Sequence, residues 1–175
     1  DGSFEIAYES KQGMGPNVAK RFALDEIDQA VDFAAAKNQS SNIYIVSAVL
    51  YGECQGRSNA SQFYASKFLV ADVDENWQRT FDAVKALGLS YRLGVRTGSK
   101  PEPRVQVWFE LDQVTDDLEI IREAAPILNA AICGDANSID TGTHLFRLAG
   151  TDSYPSLSKK AKGYAEEQIE LISEV

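Results

Sequence analysis

Hydrophobic and polar positions follow two periods along the chain, one of two residues and one of three to four, and the switches between them mark out the elements. Residues 1–23 show little of either, and Gly13, Gly15 and Pro16 would interrupt a regular element, so the pattern predicts a loop-rich lead-in. Asp25 can cap a helix whose apolar positions Ile27, Ala30, Val31 and Ala34 follow one face to about Asn38. Residues 43–50 are rich in β-branched side chains and read as a strand, 52–66 as a polar connection holding Arg57, and 67–72 as a second strand.

Over residues 76–87, Trp77, Phe81, Val84 and Leu87 return at helical spacing, and Gly88 supplies a stop. Residues 89–96 and 104–111 read as strands of a hairpin, joined by a stretch too rich in Gly and Pro to continue either. In the second strand Val105, Val107, Phe109 and Leu111 share one face, which packs. Arg104, Gln106, Trp108 and Glu110 share the other, which is left for chemistry. Thr115 is expected to cap a helix with Asp116 and Asp117 at its positive end and Leu118, Ile121, Ala125 and Leu128 inward, kinked or divided at Pro126. A Gly-Asp-Ala-Asn loop, a short strand at 145–148, a basic loop at 159–162 and a last strand or helix over 165–173 follow. The order predicts a mixed α/β (α+β) domain, a mixed sheet covered by helices on one side.

With 175 residues, 44% of them hydrophobic, the chain can bury one core, so a single domain over 1–175 is expected, with 1–41 as lead-in and covering helix. No apolar run approaches the roughly 20 residues of a membrane helix, and no basic-then-apolar segment opens the chain, which points to a soluble protein that engages no membrane. Cys54 and Cys133 form no CxxC pattern and His144 is the one histidine, so a disulfide framework and a Cys/His zinc site are set aside, leaving two ordinary buried or reduced thiols. The start at Asp1-Gly2-Ser3 rather than at methionine suggests a processed or excised piece of a larger protein.

Chemistry concentrates at few places. Asp72 and Asp74 lie two residues apart at the end of an apolar strand, so both can project from one face, and paired carboxylates repel unless a proton or a hard cation such as Mg²⁺ is shared. A solvated acidic turn is the plain alternative, as an Asx turn is for Asp135 at the exit of Ile132-Cys133-Gly134. Thr97 and Gly98, beside Arg104 and Gln106, offer a turn next to a guanidinium and an amide suited to phosphate or sugar oxygens. Arg147, between Phe146 and Leu148, needs an anionic partner if buried, either Glu110 or a triphosphate. Lys159, Lys160 and Lys162 are a basic cluster that could touch a template or primer backbone.

Taken in order, Asp72-Val73-Asp74, Thr97-Gly98 with Arg104-Val105-Gln106-Val107-Trp108-Phe109, Gly134-Asp135 and Arg147-Leu148-Ala149-Gly150-Thr151 resemble the primase-polymerases of plasmids and phages. These belong to the archaeo-eukaryotic primase superfamily, on its RepB-like branch, and the resemblance runs from about Asn42 to the end. It implies a palm of RNA-recognition-motif type under covering helices. By the same resemblance Asp72, Asp74 and Asp135 are the catalytic, metal-binding carboxylates for two Mg²⁺ or Mn²⁺ ions. Thr97, Gly98, Arg104, Gln106 and Arg147 contact the nucleotide, and Lys159, Lys160 and Lys162 the nucleic acid. Many superfamily members carry a histidine where this chain has Gln106, and Ala149 replaces a usual proline.

The implied activity is templated strand synthesis: two-metal transfer of nucleotidyl groups from (d)NTPs to a 3′-hydroxyl on single-stranded DNA. A replicative helicase is the implied partner, and the cytoplasm of a bacterial host of mobile elements the implied location. The net charge of -9 opposes DNA binding, although metal would neutralise the aspartates and a template can follow one basic edge. A rolling-circle nuclease, which needs paired histidines, is set aside. A nucleotide cyclase or other two-metal transferase, and a non-catalytic nucleotide- or DNA-binding module, remain as alternatives.

Overall fold

Among the described residues of 1–23 the elements are strands and not the loop expected, and Gly13 lies outside those residues. The structure, a computed structural model, describes residues 2–9, 15–51, 56–136 and 138–172, so Cys54 and Asn137 lie outside it. Strands β1 (Ser3–Tyr8) and β2 (Val18–Ala23) pair antiparallel along their whole length. Phe4, Ile6 and Tyr8 alternate with Ser3, Glu5 and Ala7 as a strand requires, and Glu5, on the face opposite the three apolar side chains, is a fully buried carboxylate. Glu5 accepts a hydrogen bond from the Ser58 N–H at 2.8 Å and faces Arg21 Nε at 3.7 Å.

Helix α1 (Ile27–Asn38) follows, with Glu26 and not Asp25 at its start. Glu26 accepts a hydrogen bond from the N–H of Ala23. Ala30 and Ala34 are buried as expected, whereas Ile27 and Val31 face outward. The strand expected over 43–50 is divided into β3 (Ile43–Val46) and β4 (Val49–Leu50). A capped 3₁₀ turn at Ala60–Gln62 leads into β5 (Phe63–Val73), so part of the expected polar connection is strand.

Helix α2 (Trp77–Ala86) closes as the sequence predicts. Gly88 takes φ +66°, a left-handed conformation cheap only for glycine, and the Leu89 N–H reaches the Val84 carbonyl at 3.0 Å. The hairpin is β6 (Leu93–Gly98) and β7 (Arg104–Thr115). Helix α3 (Leu118–Ile132) starts at Asp117, whose carboxylate accepts from the Glu119 N–H; Thr115 is the last residue of β7. It passes through Pro126 as a single helix, because one missing N–H costs less than the burial of Ile121, Ala125 and Ile132 returns. Next come β8 (Leu145–Arg147), β9 (Asp152–Ser153), a short helix α4 (Leu157–Ala161) where a basic loop was expected, β10 (Glu167–Gln168) and β11 (Glu170–Ile172).

Among the described residues one nine-stranded sheet runs β11-β6-β7-β5-β4-β1-β3-β8, with β2 on β1, and β9 pairs with β10. Every ladder between them is antiparallel, so the α/β class holds while the sheet is antiparallel and not the mixed one expected. Helices α2 and α3 cover the face of β5 and β7 that bears Ala71, Val73, Val105, Val107 and Phe109. Helix α1 covers the other half through Phe22, Ile6 and Ile43. The second face of β7 also packs in part: Val70, Val95 and Trp108 lie against Phe146 and Ile169. Only its Arg104 and Gln106 end faces a cleft. No helix among the described residues is long and apolar enough to cross a membrane.

Candidate active site

The cleft opens where β5 runs out. Along β5 the side chains alternate, so Asp72 emerges on the same face as Val70, opposite the one that packs on the helices, and is paired in register with Gln106 of β7. A cavity of about 140 Å³ brings together Asp72, Asp74, Thr97, Arg104, Gln106, Arg147 and Lys159, residues that the sequence separates by up to 87 positions.

The acidic wall is held by the segment after α3. The Asp135 N–H donates to the Asp72 carbonyl at 2.8 Å, Ile139 bridges Ala71, and the Ser138 hydroxyl donates to Asp72 Oδ2 at 3.2 Å. Burial, then the neighbouring Asp74 charge, pushes Asp72 up from 3.8 to about 6, against the hydrogen bonds from Ser138 and Gln106. Burial and the charge of Asp135 also push Asp74 upward. Asp135 lines an adjoining cavity with Asp74 rather than the main cleft. Among the described residues no three His, Cys, Asp or Glu side chains are already drawn together as a ready cage. Two carboxylates that resist ionising beside each other nevertheless fit Mg²⁺, which commonly takes one or two carboxylates and fills its shell with water and substrate phosphates.

The basic wall is built from three elements. Arg104 is buried, donates from Nη1 to the Lys100 carbonyl at 2.9 Å, and lies over the Tyr164 ring at 4.2 Å. Thr97 Oγ1 reaches the Arg104 carbonyl at 3.5 Å. Gly98 does not line the cleft but lies beneath Arg104. Arg147 stacks on the Tyr44 ring at 4.5 Å, and its Nη1 is buried without a hydrogen-bond partner. The pairing with Glu110 does not form, because Glu110 sits near Lys67 and Arg92 at 3.8 and 3.9 Å. Burial, then the charges of Arg147 and Arg104, holds Lys159 below the usual lysine range. Lys160 instead pairs with Glu166 at 2.5 Å, and Lys162 ends α4; neither lines the cleft. Cys133 is exposed, not buried, at the left-handed end of α3.

Some contributors carried no signal in the sequence. Ser138 reaches both Asp72 and, at 3.4 Å, His144 Nε2. Glu167 receives the N–H groups of Ser99 and Lys100 and the Ser99 hydroxyl, closing the turn beneath Arg104. Asn38 and Asn42 each bond both backbone groups of one residue, Asp152 and Tyr154, and so dock the tail that carries Pro155 and Lys159. Each is a long-range pairing between ordinary polar residues.

The comparison with solved structures finds the same fold, a sheet with helices on its outside, in two primases. The primase RepB′ superposes with a TM-score of 0.67 at 20% identity over 97% of this chain, which spans 50% of that protein's length. The catalytic domain of RepB′ in complex with initiator DNA gives 0.65 at 20% identity, over 97% of this chain and 75% of that one. The primase-polymerase domain of cyanophage S-2L gives 0.61 at 18%, over 98% and 80%. No protein-family profile and no curated protein sequence matches the chain.

Proposed function

We propose that the chain is a primase-polymerase core that joins nucleotides from (d)NTPs to a 3′-hydroxyl on single-stranded DNA. The observation that carries this reading is the facing of Asp72 and Asp74 by Arg104, Arg147 and Lys159 across one small cleft. That is charge complementarity for a triphosphate with its cations. Asp72 and Asp74, with Asp135 beside them, would hold Mg²⁺ or Mn²⁺. A divalent ion bound there supplies Lewis-acid activation of the 3′-hydroxyl and charge neutralisation of the leaving pyrophosphate.

The chain's own groups do the rest. Arg104 and Arg147 bind phosphate oxygens through planar forks, and Arg147 Nη1 has the unused donor for it. Lys159 adds a point charge. Gln106 and Ser138 fix the orientation of the Asp72 carboxylate. Lys160 and Lys162, outside the cleft, are available for a template backbone, and a helicase partner and a cytoplasmic setting accompany this reading.

The test is incubation of the chain with single-stranded DNA, labelled nucleotides and Mg²⁺ or Mn²⁺, with and without a primer, beside an Asp72→Ala, Asp74→Ala variant. Metal-dependent products that the variant cannot make support strand synthesis; unchanged synthesis in the variant sinks the site. Nucleotide binding without any product would instead favour a binding module of the same fold.

A further inference from the structure

Beyond Arg147 and Lys159 the cleft continues into a second cavity of about 270 Å³, to which Glu9, Asn42, Tyr44 and Tyr154 also contribute. Its chemistry is different. Glu9 is 7% exposed, and its carboxylate accepts from Asn42 Nδ2 at 2.9 Å and from the Tyr44 hydroxyl at 3.5 Å. An ionised carboxylate has about four acceptor positions, so Glu9 retains capacity for another donor. Burial pushes the Tyr44 phenol up to about 12, which keeps it a neutral hydroxyl.

An anion would be repelled at Glu9 and drawn to Arg147 and Lys159, which border both cavities. A hydroxyl group has the opposite preference. A ligand reaching from one cavity to the other therefore carries phosphate at that border and a hydroxyl donor beyond it. The tyrosine rings add an apolar surface, and Asn42 is fixed by its bonds to Tyr154.

We infer that this second cavity is the ribose subsite for the incoming nucleoside triphosphate, with Glu9 accepting the 2′-hydroxyl, and that the chain selects ribonucleotides over 2′-deoxyribonucleotides. The inference rests on the nucleotidyl-transfer reading above and adds to it the sugar that the site takes. A strand terminus could offer the same hydroxyl, but the phosphates that Arg147 and Lys159 hold at the border belong to the free nucleotide.

The test is direct titration of the full chain, in Mg²⁺, with ATP, 2′-deoxy-ATP and 2′-O-methyl-ATP. ATP is expected to bind about ten- to hundredfold more tightly than either analogue, the range for one hydrogen bond to a charged acceptor. Glu9→Gln should bring the ratio of ATP to 2′-deoxy-ATP affinity within about threefold by weakening ATP alone, whereas a purely structural role would weaken both. Equal binding of ATP and 2′-O-methyl-ATP by the unaltered chain, or a ratio that Glu9→Gln leaves unmoved, overturns the subsite and leaves the parent reading intact. Binding of no nucleotide at all overturns both. Extension of primers ending in ribose or deoxyribose separates the two sources of the hydroxyl: a discrimination that Glu9→Gln removes there, and not for the free nucleotide, would also overturn the assignment.

Discussion

Arg104 lies directly across Gly98. A Cβ placed at position 98 would come 1.9 Å from Arg104 Nη2, so the glycine is there because the guanidinium occupies the space that a side chain would need. Gly98 sits on a strand with an ordinary backbone conformation, and alanine is tolerable there except for this clash. Gly98→Ala should therefore displace Arg104 from the cleft while leaving the fold in place. Removing a charge-assisted hydrogen bond to phosphate costs about 1.5–3 kcal/mol, so nucleotide affinity should fall about ten- to hundredfold with little change in Tm. Equilibrium titration with ATP beside thermal denaturation measures both; unchanged affinity would remove Arg104 from the site.

Asp72 and Asp74 should make the stability of the chain depend on divalent metal. Burial and mutual repulsion raise both carboxylates, Asp72 to about 6, so a proton and a metal ion compete for them. Mg²⁺ or Mn²⁺ is expected to raise Tm at pH 7.5, where Asp72 is ionised, and to have a much smaller effect at pH 5, where it is protonated. Chelation with EDTA should reverse the gain. Asp72→Asn should abolish the metal response and, without metal, be no less stable at pH 7.5 than the unaltered chain, since it removes a buried charge. A metal-induced shift of Tm that is the same at both pH values would count against these ligands.

The three lysines should separate by function. Lys159 lines the cleft, whereas Lys160 is held by Glu166 and Lys162 lies outside. Lys159→Met should weaken nucleotide binding by about tenfold, the effect of roughly 1.4 kcal/mol. Lys160→Ala and Lys162→Ala together should change it less than about twofold and instead flatten the salt dependence of single-stranded DNA binding, with a slope smaller by roughly 0.7 for each phosphate that is no longer neutralised. Identical nucleotide affinities for Lys159→Met and the unaltered chain would show that the cleft is not where the triphosphate lies.

What the sequence revealed was local. The Asp72 and Asp74 pair, helix α2 with its Gly88 stop, and the hairpin of β6 and β7 join residues no more than 15 positions apart, and each was readable from period and turn chemistry. The first hairpin was not, although Phe4, Ile6 and Tyr8 alternate with Ser3, Glu5 and Ala7, because the run is only six residues long and Gly13, Gly15 and Pro16 follow it. That Glu5 is buried depends on Ser58 and Arg21, which the sequence does not place beside it. Nor was the neighbour of Arg147 readable: the sequence left Glu110 and a triphosphate open and gave no sign of Tyr44, which the pairing of β3 with β8 sets opposite Arg147. The even split of β7 into a packed and a reactive face failed at Trp108 for a similar reason, since Phe146 arrives from a strand far along the chain.

Asp140 gives a stability prediction independent of the cleft's chemistry. It is fully buried and accepts from the Ser47 hydroxyl at 3.0 Å and from the N–H groups of Gly142 at 2.8 Å and Val70 at 3.3 Å. Burial outweighs these bonds and raises its carboxyl from 3.8 to about 6. The folded chain thus holds this proton more tightly than the unfolded one, so the group's contribution is fully present below about pH 4 and is lost as pH rises through 6. Each tenfold change in proton affinity is about 1.4 kcal/mol, which puts the loss on the order of 3 kcal/mol. Asp140→Asn mimics the protonated acid, so it should match the unaltered chain at pH 4 and become progressively more stable relative to it up to pH 7. Comparing the two proteins by urea denaturation at several pH values cancels groups such as Glu167, whose carboxyl is lowered by the Ser99 and Lys100 bonds and acts in the opposite direction. A difference that stays constant from pH 4 to 7 would show that Asp140 titrates alike in both states.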